Sequence, residues 1–232
     1  MGLGSAGVAV VTGASRGIGR AAALAFARRG LDVALLGRPS LQLERAAGEV
    51  AALGVRASVF ACDVRVSAEV ECAAAAAIGA FGAPRVVVNN AGIVRRGVPV
   101  HETGVDDWDE VIAVNLRGSF LVARAFLPSM LRVGCGRLVQ VASISATLGS
   151  PGAAAYSASK WGILGLTKSL AEELRETGLQ AVAVLPGSVD TDMLIGSGFS
   201  PRMTADDVAG TIVYAALDAP SAITGSAIEI FG

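Results

Sequence analysis

The fold is decided by residues 7–29, which read G-V-A-V-V-T-G-A-S-R-G-I-G-R-A-A-A-L-A-F-A-R-R. The apolar run at 7–12 predicts a buried strand, and the alanine-rich stretch after the glycines predicts a helix. The glycines between them follow G-x-x-x-G-x-G spacing, a variant of the dinucleotide-binding fingerprint. Gly13 permits a tight turn, Gly17 lets the backbone approach a pyrophosphate, and Gly19 lets helix and strand pack closely. The start of the helix then offers free N–H groups to phosphate.

The rest of the chain repeats this alternation of short apolar runs and longer helical patterns, which is typical of βα units around a parallel sheet. Further strands are predicted over 32–36, 56–61, 86–89, 137–142, 180–185 and 227–230, and further helices over 41–53, 68–80, 106–131, 153–176 and 205–217. Continuous Val-rich strands fit a sheet that is covered on both faces. The sequence therefore predicts one doubly wound, Rossmann-type α/β domain over 1–232, with a parallel seven-stranded sheet and helices on both faces.

Composition narrows the possible partners. Hydrophobic residues make up 53% of the chain and the formal net charge is -1, which favours a folded globule and gives no electrostatic reason to bind nucleic acid. The longest charge-free run, 138–159, is too polar for a membrane span, and no basic segment precedes the first apolar run. Cys62, Cys72 and Cys135 are odd in number and lack C-x-x-C spacing, which predicts buried thiols in a reducing cytosol. We expect a cytoplasmic protein without a metal, nucleic acid or membrane partner.

A tyrosine and a lysine carry the predicted chemistry. Tyr156 and Lys160 stand four residues apart in Y-S-A-S-K, so both side chains lie on one face of the predicted helix. A phenol with its ordinary pKa near 10 is a poor acid–base group at neutral pH. An ammonium about 4 Å away contributes roughly 4 kcal/mol at an effective dielectric near 20, or about three pKa units. The chain has two lysines against seventeen arginines, so a lysine here suggests a demand for a compact ammonium.

The segment after the second strand indicates which nicotinamide cofactor binds. Chains that bind NAD usually place a carboxylate there for the ribose 2′-OH, but this strand runs into Gly37 and Arg38, and the first acid is Glu44. Arg38 can pair with a 2′-phosphate, and Arg16 in the glycine loop can take its other side. The alternative is that both arginines are ordinary surface charges. The prediction is NADP(H).

Other polar residues are placed where ligands bind in such folds. The chain has three asparagines, Asn89, Asn90 and Asn115. Ser143 follows a predicted strand, at the carboxyl edge of the sheet. Arg95 and Arg96 could attract an anionic substrate or be a solvated pair, which is the commoner arrangement.

Taken together, the motifs resemble the short-chain dehydrogenase/reductase superfamily over essentially the whole chain. The matching elements are T-G-A-S-R-G-I-G at 12–19, C-D-V at 62–64, N-N-A-G at 89–92, Asn115, Ser143, Y-S-A-S-K at 156–160 and P-G-S-V-D-T at 186–191. The resemblance implies a catalytic tetrad of Asn115, Ser143, Tyr156 and Lys160. Tyr156 would be the acid–base and Ser143 would hold the substrate oxygen. Lys160 would lower the tyrosine pKa and bind the nicotinamide ribose, and Asn115 would position a water that leads protons to Lys160.

The same resemblance implies a cofactor site along the carboxyl edge of the sheet. Asp63 would lie near the adenine, and Asn89 and Gly92 would line the cofactor. Pro186, Gly187 and Thr191 would lie along the nicotinamide. The residues expected to bind NADP(H) are Gly13, Ser15, Arg16, Gly17, Ile18, Gly19, Arg38, Asp63, Val64, Asn89, Ala91, Gly92, Tyr156, Lys160, Pro186, Gly187, Val189 and Thr191.

Within the superfamily the chain is most similar to 3-oxoacyl-[acyl-carrier-protein] reductases, through the glycine loop, S-x-S-A-T-x-G at 143–149 and I-T-G at 223–225. This implies NADPH-dependent reduction of a ketone, an aldehyde or a 3-oxoacyl thioester by a homotetramer or homodimer. The substrate loop at about 188–204 is shorter than in those reductases, and the chain ends at Gly232 without their usual tail. Arg132 is one of few candidate contacts for an acyl carrier, so the thioester substrate stays open.

Two other functions remain as alternatives. One is the NAD(P)-dependent oxidation of a secondary or sugar alcohol, against which the predicted cofactor preference speaks. The other is a non-catalytic NADP-binding scaffold, which predicts loss of the tyrosine or the lysine. Both residues are present.

Overall fold

The structure, a computed structural model, describes residues 7–232. Its strands are β1 (Val8–Thr12), β2 (Asp32–Gly37), β3 (Ala57–Ala61), β4 (Val86–Asn89), β5 (Gly136–Val141), β6 (Leu179–Pro186) and β7 (Ala227–Ile230). They form one seven-stranded sheet in the order β3-β2-β1-β4-β5-β6-β7, and every neighbouring pair is parallel. The predicted parallel, doubly wound sheet is confirmed.

The helices are α1 (Gly17–Arg28), α2 (Leu41–Ala51), α3 (Ser67–Phe81), α4 (Val105–Ile112), α5 (Gly118–Val133), α6 (Ala154–Glu173) and α7 (Ala205–Val213). The single helix predicted over 106–131 is divided, because a π-helical segment, Ala113–Arg117, joins α4 to α5. A second π-helical segment, Tyr214–Asp218, extends α7. Such segments insert an extra residue per turn and are frequent at functional sites.

Alternation along the strands builds a core on each face of the sheet. Ala9 and Val11 of β1 belong to a buried cluster with side chains of α1, α2 and α7. Val8 and Val10 point the other way, into a cluster with α3, α5 and α6. Because successive strand residues face opposite sides, a strand that is buried throughout requires helices on both faces.

The strand order reverses between β1 and β4. The chain winds from β1 through β2 to β3 in one direction and from β4 to β7 in the other. In doubly wound folds ligands bind in the crevice outside the carboxyl ends of the strands at this reversal. The loops that follow β1, β4, β5 and β6 therefore meet at one edge, which brings together the motifs at 12–19, 89–92 and 186–191 with Ser143.

The cysteines differ in part from the expectation. Cys62 is buried, but Cys72 and Cys135 are exposed thiols. Cys72 lies on the solvent side of α3 and Cys135 lies in the turn before β5, so neither faces a core.

Within residues 7–232, one helical stretch is both long enough and apolar enough to cross a membrane. It runs over the 29 residues Val105–Val133, in which an 18-residue window has a mean hydropathy of 1.3 and is 44% buried inside the fold. The core helices of soluble proteins meet the same criteria. The stretch is α4, the π-helical segment and α5, which pack against α3 and α6.

Candidate active site

The glycine-rich loop turns sharply from β1 into α1. Gly13 and Gly17 have φ angles of 64° and 54°, which favour glycine. The Gly13 amide donates to the carbonyl of Leu36 at 2.9 Å, so the turn is tied to the end of β2. At Gly19 a Cβ atom would lie 2.3 Å from the Gly13 oxygen and 2.5 Å from Asn90 Nδ2. The helix can start this close to the strand only because position 19 has no side chain.

Asn90 and Thr12 hold the loop after β4 against the glycine loop. The Asn90 Nδ2 donates to the carbonyl oxygens of Thr12 at 3.0 Å and Gly13 at 3.3 Å. In return, Thr12 Oγ1 accepts from the amides of Asn90 and Ala91, each at 3.0 Å. Neither Asn90 nor Thr12 is among the site residues predicted from the sequence. The signal available was their adjacency to the motifs T-G-A-S-R-G-I-G and N-N-A-G.

Asn89 leaves one polar atom open. Its Nδ2 donates to the carbonyl of Ser119 at 3.1 Å, which joins the end of β4 to α5. Its Oδ1 is buried and accepts no hydrogen bond from the residues that the structure describes. Buried acceptors are nearly always paired, so this oxygen marks a place where a further donor fits.

Asn115 lies fully buried in the π-helical segment. Its Oδ1 accepts from the amide of Ile93 at 2.8 Å, and its Nδ2 donates to the Ile93 carbonyl at 2.9 Å and to Ser159 Oγ at 2.9 Å. Ser159 Oγ in turn donates to the carbonyl of Tyr156 at 2.7 Å. Asn115 thus couples the loop after β4 to the first turn of α6, where the tyrosine is located.

The remaining three tetrad residues meet at the ends of β5 and α6. Ser143 follows β5 and caps a short 3-10 turn, and its Oγ accepts from the Ser145 amide at 3.1 Å. Lys160 is buried; its Nζ donates to the Val141 carbonyl at 2.8 Å and lies 5.5 Å from the centre of the Tyr156 ring. The structure therefore brings together the predicted serine, tyrosine and lysine.

Burial governs both ionisable groups of this cluster. It raises the pKa of Tyr156, and a hydrogen bond with Ser143 and the charge of Arg96 act against that rise. Burial lowers the pKa of Lys160 to about 8. The four-residue spacing of Tyr156 and Lys160 predicts that the Lys160 ammonium lowers the tyrosine pKa. In the structure Ser143 and Arg96 are the groups that do so, while desolvation is the larger effect.

A cavity of about 360 Å³ opens onto this cluster. Predicted residues on its wall are Ile18, Gly92, Ser143, Tyr156, Lys160, Pro186, Gly187, Val189 and Thr191. Further residues on the wall are Val94, Leu148, Met193, Leu194 and Phe199, which the sequence does not single out, and Arg96, for which a contact with an anionic substrate and a solvated position both stay open from the sequence. A second pocket, of about 340 Å³, lies between α1 and α7 beside the ion pair of Arg29 with Asp218 and holds none of the predicted site residues.

The segment after β6 forms a compact loop over the cavity. The Asp190 amide donates to the Met203 carbonyl at 2.8 Å, and the Arg202 amide donates to the Ser188 carbonyl at 2.9 Å. These bonds close the base of the loop, and its outer part carries a 3-10 turn, Asp192–Leu194. Met193 and Phe199 extend from it onto the cavity wall.

The predicted adenine-side residues lie along the neighbouring strand ends. Arg38 is exposed after β2. Hydrogen bonds from Arg65 are the main cause of the lowered pKa of Asp63, and the charge of Arg38 adds to them. Val64 is buried against α5, since a Cβ at Gly118 would come within 2.9 Å of its Cγ2.

Two predicted residues of the glycine loop, Ser15 and Arg16, do not line the cavity. Ser15 is half-buried in the turn. Arg16 reaches across to the loop after β6, where its Nη1 contacts Asp192 Oδ2 at 2.6 Å. Both partners of this ion pair are largely exposed, so the contact is weak and open to exchange.

Known proteins resemble this chain over nearly its whole length. The sequence profile of the family described as short chain dehydrogenase matches residues 7–198. A 3-oxoacyl-[acyl-carrier-protein] reductase of Synechocystis sp. is 36% identical over 98% of this chain and 96% of its own length. The 3-oxoacyl-[acyl-carrier-protein] reductase FabG of Staphylococcus aureus is 35% identical over 97% of this chain and 96% of its own.

The fold agrees as closely as the sequence. A crystal structure from Sinorhizobium meliloti, assigned as a short-chain alcohol dehydrogenase, has a TM-score of 0.90 and 32% identity with this chain. The superposition covers 97% of this chain and 94% of the other. The matched residues contain the glycine-rich loop and the Tyr156–Lys160 pair.

Proposed function

The chain belongs to the short-chain dehydrogenase family of nicotinamide-dependent oxidoreductases, and from that premise we propose that it is an NADPH-dependent carbonyl reductase. The observation that carries the proposal is the placement of Ser143, Tyr156 and Lys160 around one cavity at the carboxyl edge of the sheet. A non-catalytic scaffold has no need of a buried lysine beside a tyrosine.

The crevice fits a nicotinamide dinucleotide. The positive φ angles of Gly13 and Gly17 expose the loop backbone where α1 begins, and a helix start favours phosphate. At Gly92 a Cβ would lie 3.4 Å from Asn115 Oδ1 and 3.7 Å from Lys160 Nζ, so a side chain there would fill the space beside the lysine. The unpaired Oδ1 of Asn89 offers an acceptor at the same strand end.

We assign the parts of the cofactor to residues that line this crevice. The start of α1 with Ser15 and Ile18 would hold the pyrophosphate, and Lys160 would bind the nicotinamide ribose. Residues 186–191 would lie along the nicotinamide, with Asp63 and Val64 near the adenine. When bound, the cofactor supplies a hydride to the carbonyl carbon.

The preference for NADPH rests on charge at the end of β2. Arg38 is exposed there, in the place where a carboxylate would bind the ribose 2′-OH of NADH. A guanidinium fork matches a phosphate in two-pronged geometry. Arg16 can join Arg38 at the 2′-phosphate by leaving its exposed contact with Asp192.

Tyr156 is the proposed proton donor. Because burial raises its pKa, the phenol keeps its proton at neutral pH until negative charge develops on the carbonyl oxygen. The proton then moves to that oxygen while Ser143 holds it by a hydrogen bond. The Lys160 ammonium stabilises the phenolate that is left, and at neutral pH a pKa of about 8 keeps most of this lysine charged.

Asn115 completes the proposed tetrad as a positioning residue. Its amide group is taken up by Ile93 and Ser159, so it fixes the first turn of α6 relative to the loop after β4. We propose that a water beside it returns a proton from solvent to Lys160 and Tyr156.

The proposed substrate is a ketone, an aldehyde or a 3-oxoacyl thioester. Two of the relatives carry the name of 3-oxoacyl-[acyl-carrier-protein] reductases, which supports the thioester. The short loop at 188–204 supports a small substrate.

We propose that residues 1–232 act as one cytoplasmic domain. Exposed apolar side chains on α4, α5 and α6 support a homodimer or homotetramer, among them Trp108, Phe120 and Trp161.

A cofactor titration with a carbonyl panel tests this function. NADPH is expected to bind more tightly than NADH and to be oxidised by at least one of a set of diketones, aldehydes and acetoacetyl thioesters. Arg38→Asp should reverse the cofactor preference, and Arg45→Asp, at an exposed position of α2, is the matched control. Preference for NADH in the wild type, with turnover of secondary alcohols instead, would contradict the proposal and favour the oxidising alternative.

A further inference from the structure

Arg96 is the one residue of the cavity wall that is both charged and outside the proposed tetrad. The wall contains two charged side chains among the described residues, Lys160 and Arg96, and no carboxylate. The lysine is already bonded to the Val141 carbonyl. Arg96 is half-buried, and its charge opposes the rise that burial causes in the pKa of Tyr156. The cavity is therefore positively charged beside the proposed proton donor.

The neighbouring Arg95, unlike Arg96, forms ion pairs with carboxylates. Arg95 is exposed and contacts two carboxylates, Asp107 at 3.2 Å and Glu110 at 2.6 Å. Arg96 has no ion pair with any described residue. Arg96 Nη2 donates a hydrogen bond to the carbonyl of Met193 at 2.9 Å. A guanidinium has five N–H donors, so this bond leaves most of the fork open.

The hydrogen bond to Met193 also fixes where the charge lies. Met193 belongs to the 3-10 turn of the loop after β6, so Arg96 links the loop after β4 to the loop that covers the cavity. Much of the nearby wall is apolar, with Val94, Leu148 and Phe199. A half-buried guanidinium in such surroundings lacks full hydration, so an anion that pairs with it gains more than it would at an open surface.

We propose that Arg96 is a specificity-determining residue that binds a carboxylate carried by the carbonyl substrate, so that oxo acids are preferred over neutral ketones. This rests on the proposed carbonyl reductase function and names the substrate class within it. The carbonyl oxygen lies at Ser143 and Tyr156, the carboxylate at Arg96, and the chain between them against the apolar wall. Arg95, held by its two acids, takes no part.

The test compares each oxo acid with its own methyl ester. A series of 2-, 3-, 4- and 5-oxo acids and the corresponding esters is assayed with NADPH, and the ratio of kcat/KM for acid over ester is the readout. In the wild type this ratio should exceed one for at least one chain length. Arg96→Gln should lower that ratio about tenfold, mainly through KM of the acid, since a hydrogen bond to a charged group has about this strength.

Two further variants separate charge from structure. Arg96→Lys keeps the charge without the fork and should restore part of the ratio. Arg95→Gln is the matched control and should leave the ratio within about twofold, as an exposed pair does. Thermal melting of each variant shows whether loss of the Met193 bond has unfolded the loop region.

The outcomes distinguish the two proposals. If esters are reduced but acids are never preferred, or if Arg96→Gln slows acid and ester equally, Arg96 only pins the loop and the inference is wrong. The inference is equally wrong if Arg95→Gln lowers the ratio as much. If neither acids nor esters nor any other carbonyl is reduced with either nicotinamide, the proposed function itself fails.

Discussion

Gly19→Ala places one methyl group at the tightest contact of the glycine loop. The residue lies in α1 and its backbone is helical, so alanine is compatible with the conformation. The new Cβ would stand 2.3 Å from the Gly13 oxygen and 2.5 Å from Asn90 Nδ2. Both neighbours belong to the network that joins the loops after β1 and β4. The clash is therefore with backbone and with a fixed amide, not with a mobile side chain.

Opposing effects set the size of the change. Overpacking of this kind costs about 1–3 kcal/mol, while replacing a helical glycine by alanine returns about 1 kcal/mol. The net loss in the free energy of unfolding should reach up to about 2 kcal/mol, or a fall in Tm of up to about 8 °C. If the strain displaces the loop and cofactor binding must reverse that displacement at a cost of about 1.4 kcal/mol, the cofactor binds about tenfold more weakly.

Gly48→Ala is the control. Gly48 is also helical, in α2, and a Cβ there meets nothing within 4 Å. This variant should gain stability, by about 1 kcal/mol, and bind cofactor as the wild type does. Urea unfolding and a fluorescence titration with NADPH measure both quantities. If Gly19→Ala proves as stable as Gly48→Ala and binds cofactor equally well, the argument from close packing is wrong.

Two other predictions use the charges of the site. Because burial lowers the pKa of Lys160 from 10.5 to about 8, the unfolded chain binds more protons than the folded one between these values. The free energy of unfolding of the wild type, relative to that of Lys160→Met, should therefore rise as the pH increases through this range. Urea unfolding of both proteins at several pH values measures this difference. A difference that does not change with pH would mean that the lysine keeps its ordinary pKa. Asp192→Asn releases Arg16 from its exposed ion pair and should raise the preference for NADPH over NADH by up to about fivefold, whereas an unchanged ratio of dissociation constants would exclude Arg16 from the 2′-phosphate site.

The fold could be predicted because particular positions in it require particular residue types. A turn at Gly13 and a close helix at Gly19 each require glycine, and Val-rich strands such as β4 require cover on both faces. The division of the helix over 106–131 was not predictable in the same way. The apolar periodicity continues through the π-helical segment. A search for a 3.6-residue repeat therefore does not detect the one extra residue in that turn.

The parts of the site that depend on tertiary neighbours could not be predicted. Arg95 and Arg96 are the same residue type in adjacent positions, so the sequence does not distinguish them. In the folded chain Arg95 pairs with Asp107 and Glu110, whereas Arg96 lies on the cavity wall. The pKa of Tyr156 depends likewise on burial more than on the lysine four residues away. Spacing along a helix predicts which side chains share a face, but not how well each one is solvated.

The most direct test of the account is a single turnover with Tyr156→Phe. With the best carbonyl substrate and bound NADPH, loss of the reduced-nicotinamide absorbance should slow by about 10²–10⁴-fold, since a positioned general acid contributes about that much. Tyr214→Phe alters the chain's other tyrosine, which is 48% exposed and outside the cavity wall, and should react as the wild type does. If Tyr156→Phe turns over at the wild-type rate while remaining folded, Tyr156 is not the proton donor and the proposed mechanism is wrong.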